Sequence, residues 1–521
     1  MSEIKTFKFN KDGFEDIKSY RFGKNWPVVY LIEGKKELYV GETIGAYNRS
    51  NEHFKSPERS KLNNIHIISD EEYNKSATLD IESSLIQYFS ADGKFKLQNG
   101  NGGLKNHNYY DREKYEAKFE VIWEQMRKMN LANKTIAEIK NSDLFKYSPY
   151  KSLTSDQMEV VQELLSSIIN KKNDAHIVNG RPGTGKTILA LYLVKYLSEL
   201  YETRDVKIGF VIPMVSLRTT LKKVFRGIDG LKSSMVLGPS DVIKNEYDLL
   251  IVDEAHRLTQ RKNIVNYKSY DDVNKKLKLK KDATQLDWIL KSSKQQIFFY
   301  DEKQSIKPAD VDFKSFNRLS AKHYELTSQM RVEAGEEYIE FIEDMFDIKV
   351  DKKYFFKDYD FKIYDDIKEM VKDIKNRDKK YGLSRMVAGY AWPWMTAKGK
   401  ADYDIEVDGF KGVWNTISKD WVNSPNAIDE IGCIHTVQGY DLNYVGVIVG
   451  PELTYNTKTK KIVVDKDKYF DSNGRRGIED PKELERYIIN IYKTLMTRGI
   501  KGTYLYVVDE GLKEFFRETL K

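Results

Sequence analysis

The chain has 521 residues, with 86 Lys+Arg against 79 Asp+Glu, a formal charge of +7, and Cys433 as its one cysteine. That length is too great for one core and predicts about two to four domains, while a lone cysteine excludes internal disulfides and cysteine zinc clusters and suits a reducing, cytoplasmic setting. No run of 18 uncharged apolar residues occurs, so no membrane partner is expected, and the opening MSEIKTFKFNKDGFEDIK lacks the apolar segment of a secretory signal.

In chain order, residues 28–33 (VVYLIE) and 38–43 (LYVGET) predict a β-hairpin that carries Tyr30 and Tyr39. Arg49 and His53 follow at i, i+4 and share one face if that stretch is helical. Glu82 is expected to open an amphipathic helix with Ile81, Leu85, Ile86 and Phe89, and Asn99 begins a glycine–asparagine tail that runs to residue 103. Residues 111–147 are highly charged, with Phe119, Ile122, Trp123, Met126 and Met129 at helical spacing, and read as connecting helices. From Ser152 onward apolar β runs alternate with amphipathic helices, the pattern of a parallel α/β sheet. Candidate strands are 208–212, 249–252, 296–300, 386–390, 445–449 and 503–508; the basic segment 275–281 reads as a solvated face or loop, and there is no internal repeat.

Residues 180–187, GRPGTGKT, fit the phosphate-binding pattern G-x-x-x-x-G-K-[ST]. A short apolar run, Ala175 to Val178, precedes them, and a helix-periodic stretch from Ile188 follows. A strand, a glycine loop and a helix in that order turn backbone N–H groups and a helix dipole onto one anion. Gly180, Arg181, Pro182, Gly183, Thr184 and Gly185 form the cradle, Lys186 reaches the β- and γ-phosphates, and Thr187 ligates Mg²⁺. Downstream, YDLLIVDEAHR (247–257) is a buried strand ending in two carboxylates: Asp253 is placed to hold the same Mg²⁺, and Glu254 to orient and deprotonate water. Upstream, Gln157 offers an amide able to pair with adenine N6 and N7.

LTSDQ, GRPGTGKT, VDEAH, FFYDEKQSI, LTSQMR, IHTVQGYDL and LMTRG occur in the order of the superfamily 1 helicase motifs. AGYAWPW (388–394), the segment 430–453 and LMTRGIKGTYLYVVD (495–509) most resemble the Schlafen group 3-like DNA/RNA helicase domain. That resemblance implies two RecA-like lobes closing on ATP. It implies Gln304 as a γ-phosphate sensor, Arg331 and Arg498 as arginine fingers, and Gln438 and Gly439 at the cleft, coupling nucleotide state to closure. The third motif has Phe299-Tyr300 where a glycine usually precedes the aspartate. Tyr390, Trp392, Trp394, Trp414 and Trp421 form an aromatic cluster, read as core packing in preference to a base-stacking platform.

The N-terminal set is similar to the GIY-YIG nuclease domain over about residues 26–103, with Val28 where that family's first tripeptide has glycine. The resemblance implies a cation, Mg²⁺ or alternatively Mn²⁺, held through Glu82, Tyr30 as general base, Arg49 over the phosphate, Tyr39 and His53 positioning water and phosphate, and Asn99 as the late asparagine.

The expected fold is α/β: a small α+β GIY-YIG-like domain (1–108), a helical connector (109–150), and two RecA-like parallel-sheet lobes (151–322 and 323–521). The expected function is an ATP-driven nucleic-acid motor with an endonuclease that cuts DNA, favoured over RNA, in defence against foreign DNA such as phage. The alternatives are a non-cleaving DNA/RNA remodelling helicase in repair, and an ATP-gated switch acting on an oligomer or a partner protein.

Overall fold

The computed structural model describes residues 2–99, 111–151, 153–170, 174–202, 205–349, 354–356 and 358–520. The expected boundary at 108, the first residue of the expected α/β region (Ser152), and the part of the glycine–asparagine tail beyond Asn99 lie outside them. The chain forms two compact units, one of Met1–Val161 with Leu191–Asp205 and Leu221–Ser233, the other of Gln162–Ala190, Val206–Thr220 and Ser234–Lys521.

The first unit is built on a mixed five-stranded sheet. Its strands are β1 (Glu3–Lys8), β2 (Val28–Glu33), β3 (Glu37–Thr43), β4 (Asn64–Ser69) and β5 (Lys96–Leu97), in the order β1-β4-β2-β3-β5. The hairpin β2–β3 pairs Tyr30 with Gly41 and Ile32 with Tyr39. The sequence pattern revealed only this hairpin: β1 (EIKTFK) is a charged edge strand with little apolar signal and β5 is two residues long, while the buried strand β4 (NIHIIS) escaped it despite its apolar residues. Phe7, Tyr30, Ile32, Ile65 and Ile67 of the sheet pack into a core with Phe9, Phe14 and Ile17 from the segment after β1. Helices α1 (Lys11–Ser19), α2 (Ala46–Phe54), α3 (Lys75–Asp92) and α4 (Arg112–Lys128) complete the layer. α3 starts where the Asn74 side chain accepts from Ala77 N–H, and stops where Gly93 takes φ +72°. Glu82 therefore lies in the middle of a helix that it was expected to open. In α4, Phe119, Ile122, Trp123 and Met126 are buried as expected, whereas Met129 follows the helix end and is exposed.

The second unit holds two all-parallel sheets. The first comprises β6 (Ala175–Gly180), β7 (Ile208–Val211), β8 (Val236–Leu237), β9 (Tyr247–Val252), β10 (Ser293–Tyr300) and β11 (Ala321–Leu326), in the order β11-β6-β10-β9-β7-β8. The second sheet contains β12 (Asp360–Tyr364) and β13 (Ser384–Ala388). Between them and its later strands come a small hairpin, β14 (Ile405–Val407) and β15 (Phe410–Gly412). β16 (Ile431–Gly432) and β17 (Leu442–Val449) continue the sheet, and a second hairpin, β18 (Leu453–Asn456) and β19 (Lys461–Val464), precedes β20 (Gly499–Val507). The order is β12-β20-β17-β13-β16. Both sheets are consistent with the expected RecA-like lobes: parallel strands covered on both faces, hence the unbroken apolar runs LLIV, IFFY and YVGVIV. The edge strands β11 (AKHYEL) and β12 (DFKIY) carry polar residues and escaped the sequence pattern; β11 runs across residue 322, where a lobe boundary was expected.

Tyr300 explains the missing glycine of the third motif: its ring packs 4.6 Å from Phe316 and 5.5 Å from Phe313. Trp414 and Trp421 are fully buried, and Trp421 Nε1 donates to Glu430 at 2.7 Å. Trp392 and Trp394 are half-buried against the core that holds Trp414, in keeping with packing.

Candidate functional sites

In the phosphate loop Gly183 and Gly185 take φ +86° and +76°, the left-handed region that turns successive N–H groups to one side. Gly183 has a second constraint, since a Cβ there would stand 1.9 Å from Gln329 Oε1. The loop is held by the segment after β11: Gln329 Nε2 donates to Pro182 O at 2.7 Å and Met330 N–H to Gly183 O at 2.8 Å. Thr184 Oγ1 donates to Arg181 O at 2.9 Å, and the Arg181 guanidinium pairs with Glu336.

Lys186 Nζ donates to the carbonyls of Gly180 and Arg181 at 2.5 and 3.0 Å, and to Asp301 Oδ2 at 3.3 Å. From Asp301 a chain of bonds continues into the second lobe. Gln304 Nε2 donates to Asp301 Oδ2 at 2.6 Å, and Arg498 Nη2 donates to Gln304 Oε1 at 3.2 Å. Arg498 is buried one residue before β20. Three motifs that stand far apart in sequence thus meet on one line, and Arg331 turns instead to Asp441, 2.5 Å away.

Thr187 Oγ1 donates to Asp253 Oδ2 at 2.7 Å. Burial, and then the neighbouring Glu254 charge, push the Asp253 carboxyl up. Glu254 sits at φ +52° just past β9, a strained backbone of the kind that concentrates at working sites. Burial acts against its charge, but the His256 imidazole at 2.9 Å, Lys186 and Arg498 outweigh it and hold Glu254 ionised. Gln438 is fully buried and neither end of its amide has a partner; Gly439 beside it takes φ +88°. A buried amide left without partners costs about 1–3 kcal/mol. Glycine donors, a lysine and a hydroxyl–carboxylate pair fit a nucleoside triphosphate with Mg²⁺. Gln157, fully buried in the other unit, accepts Thr154 N–H at 3.1 Å through its side-chain oxygen.

In the first unit, the Tyr30, Tyr39 and His53 rings lie together. Tyr30 Oη lies 2.7 Å from His53 Nε2, and the Tyr39 and His53 rings are 4.8 Å apart. Arg49, one turn before His53 on α2, bonds Glu52 at 2.7 Å and also acts on the Tyr30 hydroxyl. Burial and then Tyr39 push the Tyr30 phenol above its usual range, with Arg49 opposing them. Burial, Arg59 and Arg49 hold His53 down to about 4, so it is neutral. Burial, and then the Glu42 charge, raise Glu82 to about 7. Asn99 accepts Val40 N–H at 3.0 Å and donates to Val40 O at 2.8 Å, clamping the end of the sheet to the hairpin.

Among the described residues no three His, Cys, Asp or Glu side chains converge to hold a metal ion. A cation at Glu82 would therefore rely on that carboxylate, water and substrate oxygens, an arrangement that Mg²⁺ accepts. Gly41 is required here: a Cβ would meet Tyr30 Oη at 2.4 Å and Cζ at 2.5 Å. Gly41→Ala is expected to lower unfolding stability by about 1–3 kcal/mol, as overpacking does, and to displace Tyr30; denaturant melts of the full chain check it.

The profile of the Schlafen group 3, DNA/RNA helicase domain matches residues 173–509, well over half of the chain. The chain belongs to the Schlafen group 3 DNA/RNA helicase domain family. As a member of that family it is a helicase-like P-loop NTPase, a nucleic-acid motor using ATP and Mg²⁺. It is 28% identical over 393 residues to the uncharacterised protein YPL245W of Saccharomyces cerevisiae, covering 65% of this chain and 82% of the yeast protein. Among solved structures it is similar to the Pif1 helicase from Bacteroides in complex with ADP-AlF3 and ssDNA, at 11% identity and a TM-score of 0.30, over 68% of this chain and 93% of that one. It is also similar to the DEAD-box helicase Mss116 bound to ssRNA and UDP-BeF, at 15% identity and a TM-score of 0.35, over 71% and 73%.

Several residues of the two sites carried no signal of their role in the sequence. Asp301 ties Lys186 to Gln304, and Gln329 holds the phosphate loop; both lie inside quoted motifs. Arg59 contacts His53 and Tyr39, and Glu42 stands beside Glu82. Arg59 comes after the end of α2, so no helical spacing pointed to it.

Proposed function

We propose that the protein couples an ATP-driven motor to a GIY-YIG-type endonuclease head that cuts DNA. In the motor, Lys186 neutralises the β- and γ-phosphates, Thr187 and Asp253 hold Mg²⁺, and Glu254 orients the attacking water. Gln304 reports the γ-phosphate through Asp301, while Arg498 and, on closure, Arg331 stabilise charge on the transferring oxygens. Gln438 and Gly439 couple that state to lobe movement, and Gln157 recognises adenine. The observation that supports this best is the bonded line Lys186–Asp301–Gln304–Arg498.

In the head, the cluster of Tyr30, Tyr39, Arg49, His53 and Glu82 supports phosphodiester cleavage. A divalent cation, Mg²⁺ or Mn²⁺, supplies neutralisation of the leaving group. Tyr30 takes the proton of the attacking water only as phenolate, after its own proton has left to solvent, a form that burial disfavours and Arg49 favours; Arg49 holds the phosphate, Tyr39 and His53 position water and phosphate, and Asn99 keeps the hairpin in place. A motor joined to a cutter suits defence against foreign DNA such as phage. The proposed domains are 1–108, 109–150, 151–322 and 323–521, with residues 323–326 completing β11 in the sheet of the first lobe.

The test is incubation of the purified chain with plasmid, linear DNA and RNA, with Mg²⁺ or Mn²⁺, with and without ATP. Metal-dependent cutting of DNA supports the reading; ATP turnover with no cutting of any substrate leaves a remodelling helicase. Because Glu82 titrates at about 7, its carboxylate is ionised above that pH and neutral below it. Mn²⁺ affinity without nucleotide should therefore fall about tenfold from about pH 8 to about pH 6, read by calorimetry, and the fall should vanish in Glu82→Gln.

A further inference from the structure

We propose that Arg59 fixes His53 in the Nε2–H tautomer, so that His53 is a hydrogen-bond donor to Tyr30 and not an acceptor of its proton. The catalytic consequence rests on the nuclease reading; the tautomer does not.

Arg59 Nη1 lies 2.6 Å from His53 Nδ1. A guanidinium has donors only, so Nδ1 must present its lone pair. A doubly protonated ring would set an N–H and a positive charge against that guanidinium, so the imidazole is neutral and its one proton sits on Nε2. Nε2 is 2.7 Å from Tyr30 Oη, and the proton between them belongs to the histidine. Arg59 is itself fixed, with Cζ 3.9 Å from the centroid of the Tyr39 ring, and that ring packs 4.8 Å from His53. The Tyr30 oxygen thus faces donation from His53, with Arg49 also acting on it. Its own hydroxyl proton points away from His53, and negative charge arising on that oxygen meets donors. A relay from Tyr30 into His53 is closed. Arg59 is a positioning residue: it works through His53.

The full chain has 7 histidines, few enough to resolve after ¹⁵N-histidine labelling. Long-range ¹H–¹⁵N correlation should show His53, assigned by its loss in His53→Gln, protonated at Nε2 and bare at Nδ1. Arg59→Lys, another pure donor, should keep that tautomer and most of the cutting. Arg59→Glu, an acceptor, should put a proton on Nδ1 and lower cutting about 10- to 100-fold. His53→Gln, which retains a donor, should cut better than His53→Glu. A wild-type proton on Nδ1, or a tautomer indifferent to Glu at position 59, overturns the proposal. The wild-type spectrum and Arg59→Lys decide the matter if Arg59→Glu does not fold. The expected tautomer pattern in a chain that cuts nothing upholds the proposal and removes the nuclease reading alone.

Discussion

Lys186→Ala is expected to lower nucleotide turnover by about 100- to 1,000-fold, the loss that follows removal of one preorganised donor to developing charge. Its Nζ is the only side-chain cation that the phosphate loop itself contributes inward, since Arg181 is engaged by Glu336. The substitution should leave the fold standing. Asp301 loses an ion pair but keeps Gln304 Nε2 and the Lys303 N–H, so no buried carboxylate is stranded. A melt within a few degrees of wild type, beside phosphate release lowered by that factor, is the expected pair of results. Normal phosphate release would place hydrolysis elsewhere. Glu254→Gln separates the two halves of the reading: nucleotide binding persists while turnover fails, because the amide holds water but takes no proton.

Glu82→Gln is expected to lower DNA cutting at least about 100-fold while ATP turnover stays at the wild-type level. A cation held by Glu82 would supply several kcal/mol of transition-state stabilisation, and each 1.4 kcal/mol is about a factor of ten. Burial already holds this carboxyl at about 7, so the neutral amide should not destabilise the head. Loss of cutting therefore reads on the cation and not on folding. Undiminished cutting by Glu82→Gln withdraws the nuclease assignment and leaves the N-terminal unit as a recognition module.

The sequence legibly carried what depends on contiguous residues. Strand, glycine loop and helix follow one another over residues 175–200, so the phosphate site could be read before any packing was known. The buried strands β9, β10, β17 and β20 were visible because parallel strands covered on both faces need unbroken apolar runs. Arg49 and His53 share a helix face by spacing alone. Edge strands have one open side and can be polar, so β1, β11 and β12 gave no such signal.

Tertiary structure decided which distant groups touch. That Asp301 and Gln304 join Lys186 to Arg498 depends on how two parallel sheets are placed, which no local pattern encodes. That Arg59 faces His53 and Tyr39 depends on the turn after α2, and that Glu82 lies mid-helix depends on Asn74 capping α3 a full two turns earlier than apolar spacing implied. Residue type sets what each group can donate or accept; only the fold sets the partner, because hydrogen bonds and charges act over a few ångströms of space and not along the chain.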